Sequence, residues 1–376
     1  MSLPQRRWRV AATVLALGSF LLAACSAGGG DTSPSSSGSA SNPAEINLFL
    51  IPSPSATALE KIAADFTAQT GIKVNYTETE YGTAHQKALL SIQSKQGAFD
   101  VVQFDNTFLA PFASAGALAP LDDYVKNSTA YDFNDFSPAL QQYGVFGGKD
   151  YGLVLSTEPF LLWYRPSIMQ KTGQSVPTTW DQYKTVSAAI SASGTPGQVM
   201  GYGPNTDWWW MQLVWSFGGK LYDDNYKAQV NTPEAVAATQ YYKDVLQYAP
   251  KGALGLNGDD VTNQFISTNI GQMIQYSGYA SLIYDPKTSS YSNDIAAAPV
   301  PAGKDNAVEL AGWNIGIPSD APNKDAGWKF LEFALGKANA GKMLDLGAAA
   351  IGRKSVTQDP AMQAKYPYLK LLALDN

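Results

Sequence analysis

The chain is almost without cysteine and histidine. Its 376 residues hold one Cys and one His, which excludes a disulfide framework and any cysteine-rich metal site. A lone His85 leaves little room for a zinc cluster or for imidazole acid–base work. Charge is sparse too, at 15% of residues, and leans acidic, with 26 basic against 32 acidic side chains. Phosphate binding needs a basic surface, so the balance argues against a nucleic-acid partner. No fixed-period repeat marks a solenoid. What is plentiful is apolar and aromatic: 45% hydrophobic residues, with 9 Trp, 20 Tyr and 15 Phe. The length suits two lobes rather than one core, and so many aromatic rings ask for a role beyond core filling.

The single cysteine has a telling position. Arg6, Arg7 and Arg9 precede an apolar run from Val10 to Leu22, broken only by Thr13, Gly18 and Ser19. The run is shorter than the roughly 20 residues that a membrane span needs. With the small residues after it, it reads as a secretory signal peptide over residues 1–24. Leu22-Ala23-Ala24-Cys25 then resembles a bacterial lipobox, in which the leader is cut just before the Cys. The sulfur there carries a diacylglyceryl group with palmitate-type chains. Arg6-Arg7 also touches the twin-arginine export pattern, though its flanks fit poorly. Without the leader, 23 basic side chains face 32 acidic ones, a balance of −9. Residues 26–43, SAGGGDTSPSSSGSASNP, cannot bury apolar area and read as a flexible tether. Residues 25–43 are therefore expected to hold a folded domain beside a membrane. That places it on the outer face of the cell membrane, or on the periplasmic side in a two-membrane cell.

From Ala44 the pattern changes. INLFLI reads as a buried strand. SATALEKIAADFTAQTG puts Leu59, Ile62, Ala63 and Phe66 on one helical face, with Gly71 as the stop. IKVNYTETE alternates like a strand, a helical stretch runs through His85 to Lys95, and FDVVQF is a short buried strand. Strand–helix alternation predicts a parallel sheet with right-handed crossovers. In such sheets ligands bind beyond the carboxyl ends of the strands, here at 52–55, 80–83 and 105–108. Further on, YGLVLSTEPFLLWYR is a long apolar run with a polar break at Ser156, Thr157 and Glu158. Thr179 with Gln182 predicts a capping box. AGWNIGIPS then KDAGWKFLEFAL reads as strand then helix.

Segments through the folded part, in order, are DFTAQTGIKVNY, GAFDVVQFDNTFLAPFASAGALAPLDDY, YGLVLSTEPFLLWYR, VPTTWDQY, WSFGGKLYDDN, NTPEAVAATQYYKDVL, IGQMIQYSGYASLI, AGWNIGIPSDAPNKDAGWKFLEF and AAIGRKSV. Together they resemble the carbohydrate-type extracellular solute-binding proteins of bacterial ABC importers, relatives of maltodextrin-binding protein, from Ile46 to the end. The resemblance implies an α/β, two-lobed periplasmic-binding-protein-like (type II) fold with hinge crossovers near Ser156–Phe160, Val308–Gly312 and Gly352–Ser355. It implies lobe 1 as residues 44–157 plus 310–354, and lobe 2 as 158–309 plus 355–376. Relatives run some tens of residues past GRKSV, so lobe 2 is expected to be shortened. The implied partners are a neutral sugar, oligosaccharide or polyol and the permease subunits of an importer. The implied protein is a monomer and not an enzyme, and it needs no cofactor or metal.

A sugar offers hydroxyls at its edge and C–H faces above and below, so a site needs carboxylates, amides and flat rings. Glu158 interrupts an apolar strand where a buried charge is costly; the alternative is a hinge salt bridge. Asp105 and Asn106 follow FDVVQF at its ligand end, or form an Asx turn. Tyr81 follows a strand end. In DWWWMQLVW, family position points to Trp208 as a stacking ring, with Trp209 second and Trp210 and Trp215 as core. Tyr279 matches a position where relatives usually have Trp, Trp313 and Asn314 sit just past a predicted crossing, and Arg353 is expected to reach a hydroxyl or a carboxylate such as Glu158. His85 reads as structural. A secreted glycoside hydrolase would also want aromatics and carboxylates, but the adjacent pairs Asp122-Asp123 and Asp259-Asp260 read as loop or cap residues rather than an acid and a nucleophile. A receptor for a non-sugar solute is the other alternative.

Overall fold

The computed structural model describes residues 45–204 and 206–373. The leader, Cys25 and the tether lie outside the described residues. Strand β1 (Glu45–Leu50) pairs in parallel with β2 (Lys73–Glu78) and with β3 (Val101–Asp105). The connection from β1 to β2 is the helix Pro54–Thr70. Ser53 caps it by accepting from the Ala56 N–H at 3.1 Å, with Pro54 in the first turn where its missing N–H is harmless. Leu59, Ile62, Ala63 and Phe66 are all buried, and Gly71 ends the helix at a left-handed φ of 74°. The helix Tyr81–Gln93 connects β2 to β3. A small hairpin of β4 (Val145–Phe146) and β5 (Lys149–Asp150) follows.

The apolar run with its polar break is one uninterrupted strand, β6 (Leu153–Tyr164), buried along almost its whole length. Next come β7 (Gln198–Val199), β8 (Gln272–Tyr276), β9 (Ala296–Pro299) and β10 (Leu310–Gly316). The sheet order is β2-β1-β3-β10-β6-β8-β7, with β9 also beside β6. Strand β6 changes partners midway. Its residues up to Pro159 lie against β10, and from Phe160 onward they lie against β8 and β9. One strand thus belongs to two half-sheets, one per lobe, and the seam falls at Glu158–Phe160. Strand β10 pairs antiparallel with β3 on its other side, so Trp313 sits opposite Asp105. The β10–β6 register shifts between Trp313 and Asn314, with Leu155 left over on β6; such a bulge re-aims side chains near a site.

The chain also meets the seam near Gly352. The Thr157 N–H donates to Ala350 O at 2.9 Å. Beyond it, Tyr368 packs near Trp163 and Tyr284 of the second half-sheet, with ring centroids at 6.2 and 6.4 Å. The Thr179 cap forms, its hydroxyl accepting from the Gln182 N–H at 3.3 Å. The reciprocal half of the box shifts by one residue: Gln182 Oε1 accepts from Thr178 N–H and hydroxyl at 2.8 and 2.9 Å, because Thr178 offers two donors to one oxygen.

Beside each half-sheet, helix ends and loops are stitched by one buried arginine. Arg165 donates to Ile270 O and Thr268 O at 2.9 and 2.7 Å and lies 3.6 Å over the Tyr291 ring. Arg353 donates to Leu335 O at 2.9 Å, Asp132 O at 3.1 Å and Tyr131 O at 2.5 Å, and pairs with Asp135 at 3.4 Å. Its guanidinium stacks 4.3 Å from Phe136 and 4.8 Å from Tyr131. Replacing Arg353 by Met takes this donor from the Leu335 and Tyr131 carbonyls and the counter-charge from Asp135, which keeps only Ser355. It should lower the unfolding free energy by roughly 3 kcal/mol, measured by urea denaturation; a midpoint within error of the parent would show that the stitch is dispensable.

Candidate functional site

The seam gathers the polar residues that the surrounding apolar strands would otherwise exclude. Asp105 ends β3. Its Oδ1 accepts from the Thr107 N–H and hydroxyl at 2.8 and 2.7 Å, and its Oδ2 accepts from the Tyr81 hydroxyl at 3.3 Å. The Asx turn therefore exists, and it aims the other oxygen at Tyr81. Asn106 Oδ1 accepts from Asn314 Nδ2 at 3.1 Å. Tyr81 stacks on Phe108 at 5.9 Å and meets the Trp313 edge at 5.9 Å, so these rings form one aromatic wall. His85 lies between Phe108 and Phe112 at 4.5 and 5.2 Å, a packing role.

Glu158 lies at the centre of the seam. Its Oε1 accepts from the Ser156 hydroxyl at 2.6 Å, a same-face neighbour two residues away on β6. Gly278 presses against the carboxyl so closely that a Cβ there would fall 2.2 Å from Oε2. Burial pushes Glu158 up to about 7; the Ser156 hydrogen bond opposes this, and the charge of Asp105 adds to it.

A second carboxyl shares this environment. Glu309 is 7% exposed and immediately precedes β10. Its backbone bridges the seam, donating N–H to Gln212 Oε1 at 2.6 Å and accepting from the Phe160 N–H at 3.1 Å. Burial raises it to about 7, the Tyr276 hydroxyl lowers it somewhat, and Asp105 and Glu158 raise it further. The sequence carried a usable signal, since Glu309 breaks the apolar stretch AVELAG as Glu158 breaks its own, but the reading above passed over it. Tyr143 and Tyr276 were missed as well. A Cβ on Gly312 would lie 2.6 Å from the Tyr143 hydroxyl, and Tyr276 stacks on Phe160 with centroids at 4.1 Å. Burial is the largest cause lifting both phenols well above their ordinary value.

Three buried polar atoms at this seam have no protein partner, Glu309 Oε2 and the hydroxyls of Tyr143 and Ser277; Asn314 Oδ1, further along β10, is likewise unpartnered. Buried polar groups are nearly always paired, so unmet valence gathered in one place marks where a ligand would bond.

Other expected residues fall into two groups. Tyr279 faces the seam region: its hydroxyl donates to Asp259 Oδ1 at 2.6 Å and feels the Glu158 charge. Trp208 stands half-buried beside Asp207, whose charge reaches Tyr81 from the other half of the fold. Trp209 and Arg353 do not join them. Trp209 is 1% exposed, packs on Phe160, and its indole N–H donates to Ile274 O at 2.7 Å; it is a core residue. Arg353 is fully buried, its guanidinium engaged by carbonyls and Asp135 away from Glu158, so it reaches no ligand. Trp210 is not simply core either, since it is half-buried and bonds the Thr239 hydroxyl at 2.9 Å. Among the described residues no cluster of three or more His, Cys, Asp or Glu side chains could hold a metal ion.

The raised carboxyls carry a stability signature. Their folded values exceed the ordinary 4.5, so the folded state holds more protons, and the associated stability is lost as pH rises through about 7. Glu309→Gln should therefore stabilise the unliganded protein near pH 8 by roughly 1–3 kcal/mol and change little near pH 4, read from urea midpoints. An equal midpoint near pH 8 would mean that the carboxylate is accommodated without penalty.

Comparison with known proteins agrees with this architecture. Residues 52–341 match the family described as bacterial extracellular solute-binding protein. A probable amino-acid ABC transporter periplasmic-binding protein of Sinorhizobium fredii is 24% identical over 320 residues, covering 82% of this chain and 73% of that protein. A ribitol-bound ABC transporter solute-binding protein of Agrobacterium radiobacter K84 superposes with a TM-score of 0.83 at 26% identity, covering 89% of this chain and 86% of the other. A mannitol-bound counterpart from Agrobacterium vitis S4 shares the fold, with a TM-score of 0.78 at 23% identity over 87% and 82% of the two chains. With more than half its length matching that family, across a two-lobed sheet whose unmet polar atoms gather at the seam, the chain belongs to the bacterial extracellular solute-binding proteins.

Proposed function

We propose that the protein captures a sugar, short oligosaccharide or polyol outside the cytoplasm and delivers it to the permease subunits of an ABC importer. One observation carries this reading: the unpartnered Glu309, Tyr143 and Ser277 atoms lie where one strand serves two half-sheets, with the Tyr81–Phe108–Trp313 wall further along β10. Such a seam supplies carboxyl and amide groups for hydroxyls and flat rings for C–H faces. The solutes bound by the two Agrobacterium proteins, ribitol and mannitol, support the same ligand class.

In this reading lobe 1 is residues 44–157 with 310–354, and lobe 2 is 158–309 with 355–376. Ligand bridging them favours the closed arrangement, as closure requires. A Kd near 1 μM supplies about 8 kcal/mol for it. Asp105, Asn106, Glu158, Tyr81, Trp208, Tyr279, Trp313 and Asn314 remain the proposed contacts from the sequence, with Glu309, Tyr143 and Tyr276 added. The protein binds and releases its solute as a monomer without turnover. A leader over residues 1–24 exports it, and acylated Cys25 with the tether to residue 43 holds it at the membrane; two acyl chains suffice for stable anchoring.

A second reading, an amino acid as the solute, is favoured by the Sinorhizobium relative, a probable amino-acid binding protein. Calorimetry of the purified mature chain against ribitol, mannitol, common mono- and disaccharides and the amino acids decides between them. Binding among the sugars and polyols is expected; tight amino-acid binding with no carbohydrate response would overturn the proposal. Product formation on long incubation with oligosaccharides would overturn its non-catalytic part.

The anchor has its own test. Cys25→Ala should shift the protein from the membrane fraction to the soluble one while leaving carbohydrate affinity unchanged. Continued membrane association after salt washing would mean that Cys25 is not the tether.

A further inference from the structure

The seam's chemistry is one-sided. Asp105, Glu158 and Glu309 bear on one another, and the other ionisable groups that bear on the two glutamates are the phenols of Tyr143, Tyr276, Tyr279 and Tyr368. No lysine or arginine is among them. The arginine that sequence position offered as a counter-charge, Arg353, is fully engaged elsewhere.

The unmet valence at the seam is one buried carboxyl oxygen and two hydroxyls. Asp105 has both oxygens occupied, and Glu158 has one oxygen on Ser156. Glu309 Oε2, once the carboxyl is ionised, is a pure acceptor, buried to 7% exposure and without a donor. The Tyr143 hydroxyl accepts as readily as it donates. What this place asks for is a group rich in donors and positive in charge. An ammonium has three donors and no acceptor, whereas a hydroxyl brings one donor and lone pairs that need partners of their own. Nearby ring faces add attraction for a cation. A metal ion does not answer the same demand, since no described cluster has the ligands to hold one.

We propose that the carboxyl pair Glu158 and Glu309 makes the cleft selective for a hydroxylated ligand bearing an ammonium group, an amino sugar or amino polyol, over its neutral counterpart. The proposal rests on the carbohydrate reading above and narrows its ligand class. It also revises the expectation of a neutral solute: the lack of basic residues argues against an anion, and the seam goes further by leaving two buried carboxyls uncompensated. Burying such charge is costly unless a cation pairs with it, so the amine gains what a hydroxyl cannot return. The groups that bear on the pair are the acid and phenols just named, and burial brings the charge change of both glutamates near neutrality. Selectivity therefore strengthens as pH rises through their raised range.

The test is calorimetry of the mature chain with matched probes: D-glucosamine against D-glucose, and 1-amino-1-deoxy-D-sorbitol against D-sorbitol and D-mannitol. Near pH 8 the amine should bind roughly tenfold tighter than its neutral partner, the difference between a charged and a neutral hydrogen bond. The ratio should shrink toward unity near pH 5, where both glutamates are protonated. Glu309→Gln should bring the ratio of amine to neutral affinity close to one, whatever the absolute affinities, and Glu158→Gln repeats the test from the other carboxyl. Neutral members binding as tightly as amines would overturn the proposal and leave the carbohydrate reading standing. An amine preference unmoved by both variants would overturn the assignment to this pair. No binding by any member, with amino acids binding instead, would overturn both readings.

Discussion

The structure depends on one strand serving two sheets. Strand β6 runs unbroken for 12 residues, giving its first half to β10 and its second to β8 and β9. A strand can change partners only where its ladder is handed over, and at that handover side chains from both half-sheets converge. A charged residue in such a strand would be expelled from an ordinary core. Here Glu158 is retained because the seam supplies Ser156, the close approach of Gly278, and neighbours whose own polar atoms are unmet. The site is thus a consequence of the handover and not an addition to a finished fold.

Around this seam, each half is made rigid separately. Arg165 on one side and Arg353 on the other satisfy backbone carbonyls that helix ends and loops leave without donors, and each guanidinium lies flat on aromatic rings. Arginine suits this because its planar fork reaches several carbonyls at once and it is more weakly hydrated than an ammonium. Two rigid halves linked by β6, by the stretch from Glu309 into β10 and by the passage near Gly352 concentrate any rearrangement at the seam. Glu309 makes the link literal, with its backbone bonded to Gln212 on one side and to Phe160 on the other.

Much of the fold was legible in the chain. The helix Pro54–Thr70 announced its buried face and its stop through local spacing, and the parallel pairing of β1, β2 and β3 followed from strand–helix alternation. The site was legible where a residue broke an apolar pattern, as Glu158 does, or closed a strand, as Asp105 does. It was less legible where burial decides. Trp208, Trp209 and Trp210 are alike in sequence, yet a turn of 100° per residue sends Trp209 into the core against Ile274 and leaves the other two half-buried. Arg353 looked like a hand reaching for Glu158. Which of two neighbours claims a guanidinium depends on carbonyls at residues 131, 132 and 335, which no local pattern reveals.

The sequence by itself determined the class of the protein through its acidic and cysteine-poor chemistry, its alternating elements, and the carboxylates and rings near strand ends. Those follow from local periodicity and composition, which need only a few neighbouring residues. Tertiary structure alone decided which of those side chains share a cleft and in what electrostatic state. It brought Glu309 beside Glu158 across about 150 residues of chain, withheld Arg353, and left buried acceptors without donors. Pairing, desolvation and unmet hydrogen bonds are properties of groups brought together from distant parts of the chain, and they exist only once the two half-sheets close on their shared strand.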